Sequence, residues 1–150
     1  MIGEKFFSET DVELLIDPFL LEGNGRTILL THGDQMCIDD IEYQTFRSIV
    51  RNPDWQKDFL NFPISKRLKI AGETKDASKQ SKQEKSMEIM DVNEEEVLRV
   101  FKQHEVNTMI HGHTHRPMIH ELKIDGSLCS RYVLGLSLIH ISEPTRRTPI

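Results

Sequence analysis

Two apolar runs in this chain each stop at a His-Gly pair, and that arrangement restricts the fold more than any other feature. Thr27-Ile28-Leu29-Leu30-Thr31 leads into His32-Gly33-Asp34, and Val106-Asn107-Thr108-Met109-Ile110 leads into His111-Gly112-His113-Thr114-His115-Arg116-Pro117. Short apolar runs of this kind read as buried strands. In open α/β sheets, sites form beyond the carboxyl ends of strands. The expected fold class is therefore α/β, with two strands delivering histidines to one edge of a sheet. Side chains at i and i+2 of an extended segment share a face, so the alternating histidines 111, 113 and 115 are expected to converge. Gly33 and Gly112 let the backbone turn beside them.

Imidazole is the commonest metal ligand, and His32, His113 and His115 are the candidate metal ligands. His104, His120 and His140 read as ordinary hydrogen-bonded histidines, and His111 fits either description.

With 150 residues, 37% hydrophobic and 29% charged, the chain has the composition of one globular domain. A net charge of −5 argues against a general nucleic-acid binder, whose footprint is basic. The two cysteines, Cys37 and Cys129, make neither a disulfide framework nor a C-x-x-C metal motif, which suits a reducing compartment. No apolar run approaches the roughly 18 to 20 residues of a membrane-spanning helix, and no signal pattern opens the chain.

Thr10-Asp11-Val12-Glu13 has capping-box spacing, with Ser8 as an alternative cap, and predicts a short helix or turn through Leu14-Leu15-Ile16. Phe19-Leu20-Leu21 and 27–30 flank Asn24-Gly25, a hairpin signal. Residues 40–50 place Tyr43, Phe46 and Val50 at helical spacing, capped by Asp39 or Asp40. Trp55, Phe59, Leu60, Phe62, Ile64, Leu68 and Ile70, interleaved with Lys66, Arg67 and Lys69, predict short amphipathic helices that serve either as core or as an apolar lid. The polar stretch 75–85 is a solvated loop or helix face, or a grip for an anion. The acidic run 94–96 opens a helix whose Val97, Leu98 and Phe101 face the core. Residues 131–135 form the last expected strand.

His32-Gly33-Asp34 after one strand and Gly112-His113-Thr114-His115-Arg116-Pro117 after another resemble the calcineurin-like metallophosphoesterases. Residues 33–40, Tyr43-Gln44-Thr45-Phe46-Arg47 and Ile89-Met90-Asp91-Val92-Asn93 narrow the likeness to the UDP-2,3-diacylglucosamine diphosphatases, over about 1–135. The resemblance implies a sandwich with a helical lid at about 40–85. It also implies two Mn2+ ions cleaving the diphosphate of a UDP-linked diacylated glucosamine, in lipid A biosynthesis, on the cytoplasmic face of the inner membrane as a peripheral protein.

By position, His32 and His113 would bind one metal and His115 the other. Asp40, Ser78, Lys85 and His113 would contact substrate, with Lys82 where the family carries asparagine. The Asp-x-His, Gly-Asp and Gly-Asn-x-Asp motifs that the family carries upstream have no match here. The resemblance thus implies a C-terminal part of the domain, inactive by itself. Residues 136–150, with two prolines and no clear period, read separately as a non-native tail. No catalytic acid or base is assigned. The competing expectations are another calcineurin-like phosphoesterase and a non-catalytic metal-binding module.

Overall fold

The hairpin predicted around Asn24-Gly25 is present. β1 (Phe19–Gly23) pairs antiparallel with β2 (Arg26–Thr31), and Asn24 and Gly25 both take positive φ, 52° and 70°, as a type I′ turn requires. The structure is a computed structural model describing residues 4–10, 12–86 and 89–135, without the side chains of 4, 5 and 82–84. Residues 136–150, expected to be a non-native tail, lie outside the described residues.

The chain divides into two units, one of Met1–Gly33 with Leu98–Ile150 and one of Asp34–Val97. The first holds a five-stranded mixed sheet in the order β1-β2-β3-β5-β4, with β3 at Thr108–His111, β4 at Met118–Ile124 and β5 at Ser127–Val133. β2, β3 and β5 are parallel neighbours, while β1 and β4 pair antiparallel at the edges. Leu29, Met109 and Arg131 are buried in register across the three central strands, and Cys129 and Val133 are buried on either side of Arg131 along β5. The parallel pairing puts the carboxyl ends of β2 and β3 side by side, Thr31 opposite His111. That is the α/β arrangement expected from the sequence.

Four local expectations need correction. Residues 12–16 are not helical: the helix α1 lies earlier, at Glu4–Glu9, and Thr10 Oγ1 donates back to Phe6 O at 2.8 Å, closing that helix instead of opening the next. β5 begins at Ser127, not 131, because Asp125 and Gly126, at φ 49° and 87°, turn the chain out of β4, a strand the sequence reading did not identify. α5 (Glu94–His104) buries Val97, Val100 and Phe101, and Leu98 points outward, since the i, i+3, i+4 stripe runs through 97, 100 and 101. The histidines at 113 and 115 do not continue an extended strand: their φ values are 65° and 55°.

The second unit is helical, with α2 (Ile41–Val50), α3 (Pro53–Asn61) and α4 (Ile64–Glu84). Asp40 caps α2 by accepting from Tyr43 N, and Asn52 caps α3 by accepting from Asp54 N and Trp55 N, with Pro53 in the first turn. Pro63 has no N–H to extend α3, and α4 begins immediately after it. The stretch 75–85, open between loop and helix in the sequence, is helical through 84.

Candidate metal and substrate site

Each histidine of the expected metal pair is held by its own backbone. His32 follows β2, and its N–H donates to Asp17 Oδ1 at 3.1 Å; the same oxygen accepts from Thr31 Oγ1 at 2.6 Å. Thr31 Oγ1 in turn accepts from Gly33 N at 3.2 Å. One carboxylate oxygen thus pins the strand end and the exposed His32.

His113 sits in a three-residue turn. Thr114 N donates to Gly112 O at 2.8 Å, an i to i+2 bond, and the central His113 has φ 65°. A turn of this kind with positive φ at a non-glycine residue is rare and strained, and such strain concentrates at functional sites. The ladder continues past the strands through Gly112 N to His32 O at 3.2 Å. As a result the rings of His32 and His113 lie edge to face with centroids 5.1 Å apart.

His111, undecided in the sequence, is buried with 1% of its surface exposed. Its Nδ1 is 3.0 Å from Gly112 O and its Nε2 is 3.1 Å from Arg131 Nη1. A carbonyl only accepts and a guanidinium only donates, so Nδ1 carries the proton and Nε2 accepts. Both nitrogens of His111 are therefore engaged inside the protein.

The third expected ligand, His115, is exposed and also has a positive φ, 55°. Among the described residues no three His, Cys, Asp or Glu side chains gather closely enough to hold a metal ion. The His32–His113 pair fits a partial donor set for a divalent cation: two imidazoles from adjacent strands, accessible from solvent.

In the second unit the expected substrate residues Asp40 and Lys85 meet, Lys85 Nζ lying 2.6 Å from Asp40 Oδ1 and 2.8 Å from Glu42 Oε2. Ser81 Oγ donates to Glu42 Oε2 at 3.1 Å. Burial draws the Lys85 pKa down, but the bonds to Asp40 and Glu42 with their charges outweigh it and leave the ammonium raised. The bond from Lys85, then that from Ser81, lowers Glu42. Ser78 is exposed on α4, and the side chain of Lys82 lies outside the described ones.

Two networks were missed in the sequence. Asp34, 2% exposed, accepts at Oδ2 from Arg47 Nε at 2.9 Å, Arg51 Nη2 at 2.7 Å and Tyr43 Oη at 3.2 Å. Gln44 Nε2 donates to the Asp34 and Cys37 carbonyls. The i, i+4 spacing of Arg47 and Arg51 was the available signal. The Asp17 contact with 31–33 joins residues that local patterning does not relate.

No family model matches the chain. Curated relatives do match. It is 46% identical over 134 residues to the UDP-2,3-diacylglucosamine hydrolase of Bordetella parapertussis, 42% over 135 to that of Chromohalobacter salexigens and 46% over 135 to that of Serratia proteamaculans. These alignments take in 89–90% of this chain and 52–56% of each relative, so the chain spans about half the length of the relatives it matches.

Proposed function

We propose that this chain forms part of a hydrolase that cleaves the diphosphate of UDP-2,3-diacylglucosamine, giving UMP and the diacylated sugar phosphate. The observation that carries the reading is the 42–46% identity, over nearly the whole chain, to hydrolases named for that substrate. The convergence of His32 and His113 beyond two parallel strands supports it, because phosphoryl transfer needs charge neutralisation at such an edge.

His32 and His113 would supply imidazole nitrogens to one divalent cation, manganese in the family resembled, and His115 to a second. The cations, when bound, neutralise phosphoryl charge and lower the pKa of a water. The protein's own part is to hold the rings: Asp17 fixes the backbone at His32, and the turn through Gly112 and Thr114 fixes His113. Lys85, held by Asp40, offers an ammonium to substrate phosphate in exchange for its carboxylates, and Ser78 and Lys82 complete the substrate contacts in this reading. The exposed Ile41, Ile64 and Leu68 of the helical segment, at 75%, 67% and 68% exposure, suit acyl chains and a lipid surface. No described helix is long and apolar enough to cross a membrane.

The test is a chimera in which residues 2–135 replace the matched region of the Bordetella parapertussis hydrolase. It is expected to release UMP from UDP-2,3-diacylglucosamine with manganese, and His113→Ala to abolish turnover. The chain by itself is expected to be inactive, since one pair of imidazoles is a partial donor set. A folded chimera that binds manganese but leaves the nucleotide sugar intact would overturn the proposal.

A further inference from the structure

We propose that His111 is the positioning residue of the His32–His113 pair, acting through the carbonyl of Gly112. Two donors converge on that oxygen: Thr114 N at 2.8 Å, which closes the turn around His113, and His111 Nδ1 at 3.0 Å. His111 thereby fixes the peptide from which His113 departs, while Arg131 Nη1, bonded to Nε2, fixes the tautomer that makes Nδ1 the donor.

The ring also restrains the other strand end. Gly33 has φ 96°, and a Cβ there would lie 2.8 Å from His111 Nδ1 and 3.2 Å from its Cβ and Cγ. Only glycine leaves room for the imidazole at that point, so the backbone beside His32 rests directly on the ring. His111 therefore touches both segments that carry the pair, yet it is buried and offers neither nitrogen to a ligand. Its strand position adds rigidity: His111 O accepts from Leu134 N at 2.7 Å. The inference rests on the metal reading for its purpose, but its geometry stands without a cation.

The experiment reads the contact of the two rings directly, as nuclear Overhauser effects between the His32 and His113 imidazole protons in the metal-free chain. His111→Asn places an amide N–H where Nδ1 donates; His111→Ala and His111→Leu do not. The contact is expected to persist in the wild-type chain and in His111→Asn, and to vanish in the other two, with the β4–β5 amide pattern unchanged in all. A contact that survives in His111→Ala, or an Asn variant no better than Ala, overturns the proposal.

Should the single variants fail to fold because Arg131 loses its acceptor, His111→Asn with Arg131→Met against His111→Leu with Arg131→Met carries the same comparison. A manganese titration separates the two ideas: no broadening of His32 and His113 signals in the wild-type chain counts against the metal reading alone.

Discussion

Asp17 Oδ1 accepts the backbone N–H of His32 at 3.1 Å, so a residue fifteen positions upstream holds the backbone of the first candidate metal ligand. The same oxygen takes the Thr31 hydroxyl, which itself accepts from Gly33 N. Replacing Asp17 with alanine removes both acceptances and leaves the His32 N–H to water. The expected cost is ~1–3 kcal/mol of stability, read by urea unfolding. Manganese-induced broadening of the His32 ring signals is expected to weaken more than that of His115. Equal broadening at both positions would show that Asp17 does not hold His32.

The carboxylate of Asp34 compensates two guanidiniums inside the helical unit. Asp34→Ala removes one carboxylate from Arg47, about a quarter exposed, and from Arg51, less enclosed, and takes the Asp34 acceptor from Tyr43. Breaking a buried pair from one side costs ~3–5 kcal/mol, and the exposure of Arg51 places this case near the lower end. Native-state hydrogen exchange should show the loss concentrated in α2, with Tyr43→Phe costing only ~1 kcal/mol. Unchanged exchange in α2 would contradict the role given to Asp34.

Strand ends and turns were legible because they rest on local chemistry: the apolar run before His32, the Asn24-Gly25 pair and the run before His111 each lead into the element seen. β4 was not legible from hydrophobicity. As an edge strand it alternates exposed Ile119, Glu121 and Lys123 with partly covered His120 and Leu122, so no apolar run marks it. The period-2 reading of 111, 113 and 115 failed for a physical reason: alternation holds only while the backbone stays extended, and the Gly112–Thr114 turn ends that at 112. The meeting of His32 and His113 was nonetheless foreseeable from the two His-Gly endings, whereas the support from Asp17 and Arg131 depends on folding that brings distant positions together.

The Lys85 cluster makes a stability prediction with a definite sign. Lys85 is raised above its ordinary value of 10.5, so its contribution is complete below 10.5 and is lost as pH climbs through the folded value. Glu42 is lowered below 4.5, so its contribution is complete above 4.5 and is lost as pH falls through the folded value. The cluster should therefore contribute fully between those limits. Lys85→Met should narrow the difference between neutral and alkaline stability of the helical unit, followed by denaturation at several pH values. Parallel pH profiles for the variant and the parent would rule the coupling out.

Cys37 should be nearly inert in the folded protein. It is 1% exposed, and its Sγ lies 3.9 Å from Met90 O. Burial first, and then the negative charges of Asp91, Asp34, Asp40 and Asp39, push the thiol up to about 12. At pH 8, four units lower, about one molecule in ten thousand carries the reactive thiolate, and the side chain is enclosed as well. Alkylation by iodoacetamide, followed by peptide mass spectrometry, is expected to leave Cys37 unmodified over hours in buffer and to label it within minutes in urea. Asp34→Ala should speed the native reaction, because it opens the segment 34–40 and removes one of the opposing charges. Rapid labelling of Cys37 in the untreated parent would show that residues 36–39 are not held against 90–93 by the Met36–Asn93 and Asp39–Asn93 bonds, whose donor–acceptor distances are 2.8 and 2.9 Å.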